Sequence, residues 1–147
     1  MVVHTDLNLL SVLQCAVEHL KMKHVIVCGH YGCGGIEAAL TNTSYGILNK
    51  WLRNIKDVYR MHKYEIDALP TRKEQLDRMV ELNVREQVMD LAKTSVIQYA
   101  WQDRGFPKLH GWVYRLTDGV INTICEVYQD TDMDPVYRFE KFDKPSY

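Results

Sequence analysis

The residues able to do chemistry crowd into HVIVCGHYGCGGIEAAL, residues 24–40, where His30, Cys28 and Cys33 stand among Gly29, Gly32, Gly34 and Gly35. Two residues separate His30 from Cys33, and an imidazole nitrogen and a thiolate at that spacing can converge on one tetrahedral ion. Zinc suits such a pair, because it accepts mixed nitrogen and sulfur donors and has no redox chemistry with which to damage a thiolate. The cysteine must be deprotonated to bind it, a state that an adjacent helix N-terminus favours. Two donors do not make a zinc site, however, and the same spacing suits a hydrogen-bonded histidine in a tight turn. Cys28 leaves a second choice open. C-x-H on an extended strand places Cys28 and His30 on one side, yet Cys28 also belongs to an apolar run and reads as a core residue.

Other uses of a glycine-rich turn fit less well. A dinucleotide fingerprint needs G-x-G-x-x-G, whereas this turn reads G-x-x-G-x-G-G. A P-loop would end in Gly-Lys-Ser/Thr, and no lysine follows Gly35 before the helix. A cysteine phosphatase would place an arginine just after its nucleophile, but the first arginine after Cys28 is Arg53.

The elements that must position the turn can be read on either side of it. Val25, Ile26 and Val27 are β-branched and suit a strand buried on both faces of a parallel sheet. The glycines allow a sharp turn into a helix, and in open α/β sheets that carboxyl end of a strand is where ligands bind. Upstream, Thr5 and Asp6 can cap a helix carrying Leu9, Leu13, Ala16, Val17 and Leu20 on one face and ending near Lys21–Lys23. A crossover helix so near Met1 implies a preceding strand for which Met1–His4 leave little room.

Downstream, Ser44–His62 reads as a helix with Ile47, Trp51, Ile55 and Val58 on one side and a solvated cationic face on the other. Pro70 breaks the chain. Thr71 with Glu74 forms a capping box opening a long amphipathic helix, followed by a short one to Trp101. Leu109–Leu116 and Val120–Val127 read as strands of a hairpin around Thr117-Asp118-Gly119. The last twenty residues show no sustained period and are expected to pack through their aromatics or stay mobile.

The totals bound the class of function. A chain of 147 residues supports one domain with a sizeable core. A formal charge of -1 creates no field favouring nucleic acid or an anionic membrane. No apolar run approaches the roughly 20 residues that span a bilayer, and the N-terminus lacks a secretory pattern, so a soluble cytoplasmic protein is expected. The four cysteines form no C-x-x-C pair and are expected to be reduced. Cys15 and Cys125 lie in apolar surroundings and read as small core residues. His4, His19, His24, His62 and His110 are scattered and read as surface or hydrogen-bonded residues.

The stretch V-C-G-H-Y-G-C-G-G, with E-H-L-K-M-K-H-V-I before it and I-E-A-A-L after it, resembles the zinc-binding segment of β-class carbonic anhydrases of bacterial type. The resemblance extends through H-T-D-L-N-L-L-S-V-L-Q, N-K-W-L, E-L-N-V-R-E-Q-V and H-G-W-V-Y, to about Val127. It implies an α/β fold with a mainly parallel β-sheet flanked by helices over residues 1–127, with 128–147 as a C-terminal tail. It also implies zinc held by His30 and Cys33, with Cys28 not a ligand, and the backbone of Gly34 near bound substrate.

The implied reaction is reversible hydration of carbon dioxide to bicarbonate. Zinc lets bound water lose its proton near neutral pH, an effect whose type example is a carbonic anhydrase with three histidine ligands; the β-class set is two cysteines and one histidine. A homodimer or homotetramer is implied as well.

Two departures from the family pattern and one shared feature shape the expectation. The family's first zinc cysteine and its Asp-Arg dyad lie in a Cys-x-Asp-x-Arg motif that this sequence does not contain. The chain is therefore expected to be an N-terminally incomplete version of the fold, its first strand region missing and none of its residues in a catalytic role. The alternative is a noncatalytic chain serving as a binding or oligomerisation module. Cys15 stands where relatives commonly carry a tyrosine. Finally, a tyrosine in the W-x-Y setting of Trp112 and Tyr114 helps hold bicarbonate at an inhibitory site in a bacterial subgroup, which makes Tyr114 a candidate regulatory residue, although alternation along a strand explains the same pair.

Overall fold

The computed structural model describes residues 1–142. Asp6 caps helix α1 (Leu7–Gln14), its Oδ1 accepting from the amides of Asn8 and Leu9. The helix widens into a π-helical turn at Cys15–His19, where Leu20 N–H donates to Cys15 O. That widening breaks the predicted stripe. Leu13 and Val17 are buried, while Leu20 faces outward.

Strand β1 (His24–His30) leads into helix α2 (Gly34–Ala39), followed by α3 (Leu48–Asp67), α4 (Arg72–Ala92), α5 (Ser95–Arg104) and strands β2 (Lys108–Tyr114) and β3 (Ile121–Val127). The α3 helix bends at His62, the end expected from its pattern, and continues to Asp67. Its buried stripe is Leu52, Ile55, Val58 and Ile66. Ile47 and Trp51, expected on that face, are exposed. The predicted capping box opens α4: Thr71 N–H donates to Glu74 Oε2 (3.0 Å) and Glu74 N–H to Thr71 Oγ1 (3.2 Å).

The strands form one sheet in the order β1-β2-β3. Lys108 N–H donates to Lys23 O at one end of the β1–β2 pair and Tyr31 N–H to Tyr114 O at the other. Both strands therefore advance together, a parallel pairing. The predicted hairpin makes the second pairing antiparallel: Arg115 N–H donates to Val120 O (2.9 Å) and Gly119 takes φ +73°. The α/β class holds, with a mixed sheet.

The expectation that β1 is buried on both faces fails. Its burial alternates, and His24, Ile26, Cys28 and His30 all lie on an exposed side. Ile26 keeps 47% of its surface on that side. Cys28 is accordingly exposed rather than core, and so is Cys15 on the π-helical turn.

Residue contacts divide the chain into two compact units. One comprises Met1–Ile26, Gln87–His110 and the described residues from Glu126 onward. Trp101 anchors it, its indole N–H donating to Pro107 O (2.6 Å). Arg104 Nη2 donates to Val17 O (2.5 Å), tying α5 to the π-helical turn. The C-terminal segment packs through its aromatics, with Lys93 over the Tyr137 ring and Phe142 edge-on to Tyr99. Residues 143–147 of the expected tail lie outside the described residues. The other unit, Val27–Glu86 with Gly111–Cys125, buries Ile36, Leu52, Ile55, Met79, Val80 and Val113 and contains the glycine turn.

Candidate metal centre

The strand-to-helix corner follows from local sequence. His30 is the last residue of β1, Gly32 takes the left-handed φ of +70° that a side chain disfavours, and Cys33 is the N-cap of α2. Gly34 opens that helix, and a Cβ built on it would meet open space within 4 Å. Gly35 is different. A Cβ there would stand 3.3 Å from the Trp51 ring and 3.7 Å from Cys33 Sγ, so its bareness lets α3 lie against the turn.

Hydrogen bonding sets the chemistry of the histidine. His30 Nδ1 lies 3.0 Å from Tyr31 O. A carbonyl can only accept, so Nδ1 donates its proton to it and Nε2 is the nitrogen left for a metal, the arrangement of a metal-ligating imidazole. His30 is exposed and Cys33 half-buried.

Tyr114 ends β2, and its carbonyl accepts from Tyr31 N–H (3.1 Å). The fold thus brings His30, Cys33, Gly34 and Tyr114 to the carboxyl ends of the two parallel strands. A cleft of about 390 Å³ beside the turn has Ile36, Leu76, Val80 and Leu116 as apolar walls and Cys33, Lys73 and Arg115 among its polar groups.

The donor set fits zinc in kind, as an imidazole nitrogen and a sulfur. Among the described residues no group of three or more His, Cys, Asp or Glu could hold a metal ion, so these two are the donors that the turn supplies. The remaining histidines behave as expected. His24 Nδ1 stands 2.9 Å from His110 Nε2, His62 Nε2 2.9 Å from Glu86, and His4 Nε2 3.4 Å from Asp90.

Two residues near the turn, both inside stretches of family likeness, have no role that their spacing could assign. Tyr31 OH donates to Glu81 Oε1 at 2.7 Å across 50 positions. Burial, and then that hydrogen bond, push the Tyr31 phenol up, so it remains a donor at neutral pH. Only the packing of α4 beside the turn reveals the pair.

Residues 1–121 match the family described as carbonic anhydrase. A carbonic anhydrase of Emericella nidulans is 53% identical over 119 residues, covering 81% of this chain and 52% of its own length. The crystal structure of the β-carbonic anhydrase CafA of Aspergillus fumigatus superposes with TM-score 0.77 at 40% identity, over 83% of this chain and 58% of that one. A structure described among two tetrameric β-carbonic anhydrases of Sordaria macrospora gives TM-score 0.80 at 36% identity, over 86% and 65%. The chain spans about half the length of the curated relatives it matches.

Proposed function

Because this chain belongs to the β-class carbonic anhydrase family, we propose that it acts in the reversible, zinc-dependent hydration of carbon dioxide to bicarbonate, with His30 and Cys33 holding the metal. The observation that carries the reading is the matched corner itself. A histidine whose Nδ1 is engaged by Tyr31 O and an N-cap cysteine stand where strand meets helix, within the family match.

Zinc would supply Lewis acidity that makes water a nucleophile near neutral pH. The chain's own residues do the holding. Tyr31 O accepts the hydrogen bond from Nδ1 and leaves Nε2 for the metal, Cys33 would offer its sulfur from the N-cap of α2, and the open backbone at Gly34 leaves room for a small substrate. Tyr114, tied to the turn through its carbonyl, is the proposed bicarbonate-responsive residue. A homodimer or homotetramer belongs to the same proposal, supported by the tetrameric relatives. So does a cytoplasmic location, which cell fractionation checks.

The test is zinc content of the purified protein by mass spectrometry, with stopped-flow carbon dioxide hydration. One zinc per chain, turnover, and loss of both in His30→Ala and Cys33→Ala are expected. Folded protein without zinc or turnover would overturn the reading in favour of a binding or oligomerisation module.

A further inference from the structure

We propose that Tyr31 is a positioning residue for the turn, held by a chain of charged side chains from α3 and α4 so that His30 and Cys33 face one ion. The inference rests on the zinc reading above and concerns what keeps the turn in register.

Every polar handle of Tyr31 is engaged. Its amide donates to Tyr114 O on β2 (3.1 Å), its carbonyl accepts from His30 Nδ1 (3.0 Å), and its hydroxyl donates to Glu81 Oε1 (2.7 Å). The Arg115 guanidinium lies 5.1 Å from its ring centroid, a cation–π contact. The same residue thus determines the His30 tautomer and sits one position before the glycine that turns the chain toward Cys33.

Glu81 is itself held. Its second oxygen accepts from Arg78 Nη1 (2.8 Å), and Arg78 Nε donates to Glu65 Oε1 on α3 (2.6 Å). Beyond it, His62 at the α3 bend stands 3.8 Å from Glu65 Oε2 and 2.9 Å from Glu86 Oε1. Charge-assisted hydrogen bonds of this kind are shorter and stronger than neutral ones. With Glu81 fixed by Arg78 and the Asn122 side chain also within reach, the Tyr31 hydroxyl is held in place, and the backbone carbonyl that orients His30 is held with it. Groups behind a ligating histidine commonly tune metal affinity by ~10–100-fold.

The test compares the protein with Tyr31→Phe, Glu81→Ala and Glu81→Gln. Metal affinity is read by competition with a chromogenic chelator, using zinc and cobalt(II), and the cobalt absorption spectrum reports coordination geometry. Circular dichroism confirms the fold. Tyr31→Phe keeps the ring and the Glu81–Arg78 pair, so it removes only the hydroxyl. It is expected to weaken metal binding by about tenfold and to alter the cobalt spectrum, with Glu81→Ala equivalent to it and Glu81→Gln, which still accepts, intermediate. Equal affinity and identical cobalt spectra in all four folded proteins would overturn the positioning role and leave the zinc reading intact. Absence of metal from the unmutated folded protein would overturn both.

Discussion

A Cβ built on Gly29 would stand 2.6 Å from Cγ2 of Val84, closer than side-chain carbons approach. The bare backbone of β1 is therefore what admits α4, and one turn before Val84 that helix carries Glu81, the partner of Tyr31. Gly29→Ala would overpack this contact, because a valine is stiff about its first torsion and cannot swing aside. The expected cost is about 1–3 kcal/mol of folding stability, read from urea unfolding. Because the same displacement shifts Glu81, metal affinity should fall in the substituted protein as well.

Thr71→Ala removes one half of the reciprocal cap at the start of α4. A loss of ~1 kcal/mol is expected, seen as a lower thermal midpoint, with Thr71→Ser close to the original protein. An unchanged midpoint in the alanine variant would mean that the helix start adds nothing to global stability.

The cysteines should differ sharply in reactivity. Cys15 and Cys28 are exposed, whereas burial pushes the Cys125 thiol up and keeps it protonated. Iodoacetamide at neutral pH, followed by peptide mass spectrometry, should modify Cys15 and Cys28 well before Cys125. Faster labelling of Cys125 would contradict its placement in β3.

An acid-side dependence follows from Glu126. Its hydrogen bond to Lys108 at 2.7 Å, with His110 at 3.2 Å, holds the carboxyl below the usual carboxylate range. A group with a depressed folded pKa stabilises the protein above its unfolded pKa, and that contribution is lost as pH falls through the folded value. The thermal midpoint of Lys108→Met should therefore lie below that of the original protein at neutral pH, and the difference should vanish as pH falls below the ordinary carboxylate range. A difference that persisted there would trace to the packing of the lysine stem instead.

Much of the fold was legible because its signals are local. Asp6 and the Thr71–Glu74 pair cap helices within three residues of themselves, and Asp118-Gly119 turns the hairpin with the left-handed angle that glycine permits. The errors arose where burial depends on what lies opposite. A β-branched run reads alike whether one face of a strand is covered or two, so Ile26 and Cys28 read as core although both lie on the exposed side. The rotated stripe of α3 has a related cause: Ile47 precedes the helix and Trp51 lays only part of its ring against the turn at Gly35, while Leu52 beside it is buried, a choice hydrophobicity alone cannot make.

By itself the sequence determined the caps, the hairpin, the glycine turn and, through nine consecutive residues of family likeness, the identity of His30 and Cys33 as candidate donors. Only the tertiary structure decided what stands behind them. The His30 tautomer is read from a carbonyl distance, and the bond from Tyr31 to Glu81 joins residues 50 positions apart. Such contacts depend on how closely α4 packs on β1, which the missing side chain of Gly29 permits and no local pattern encodes.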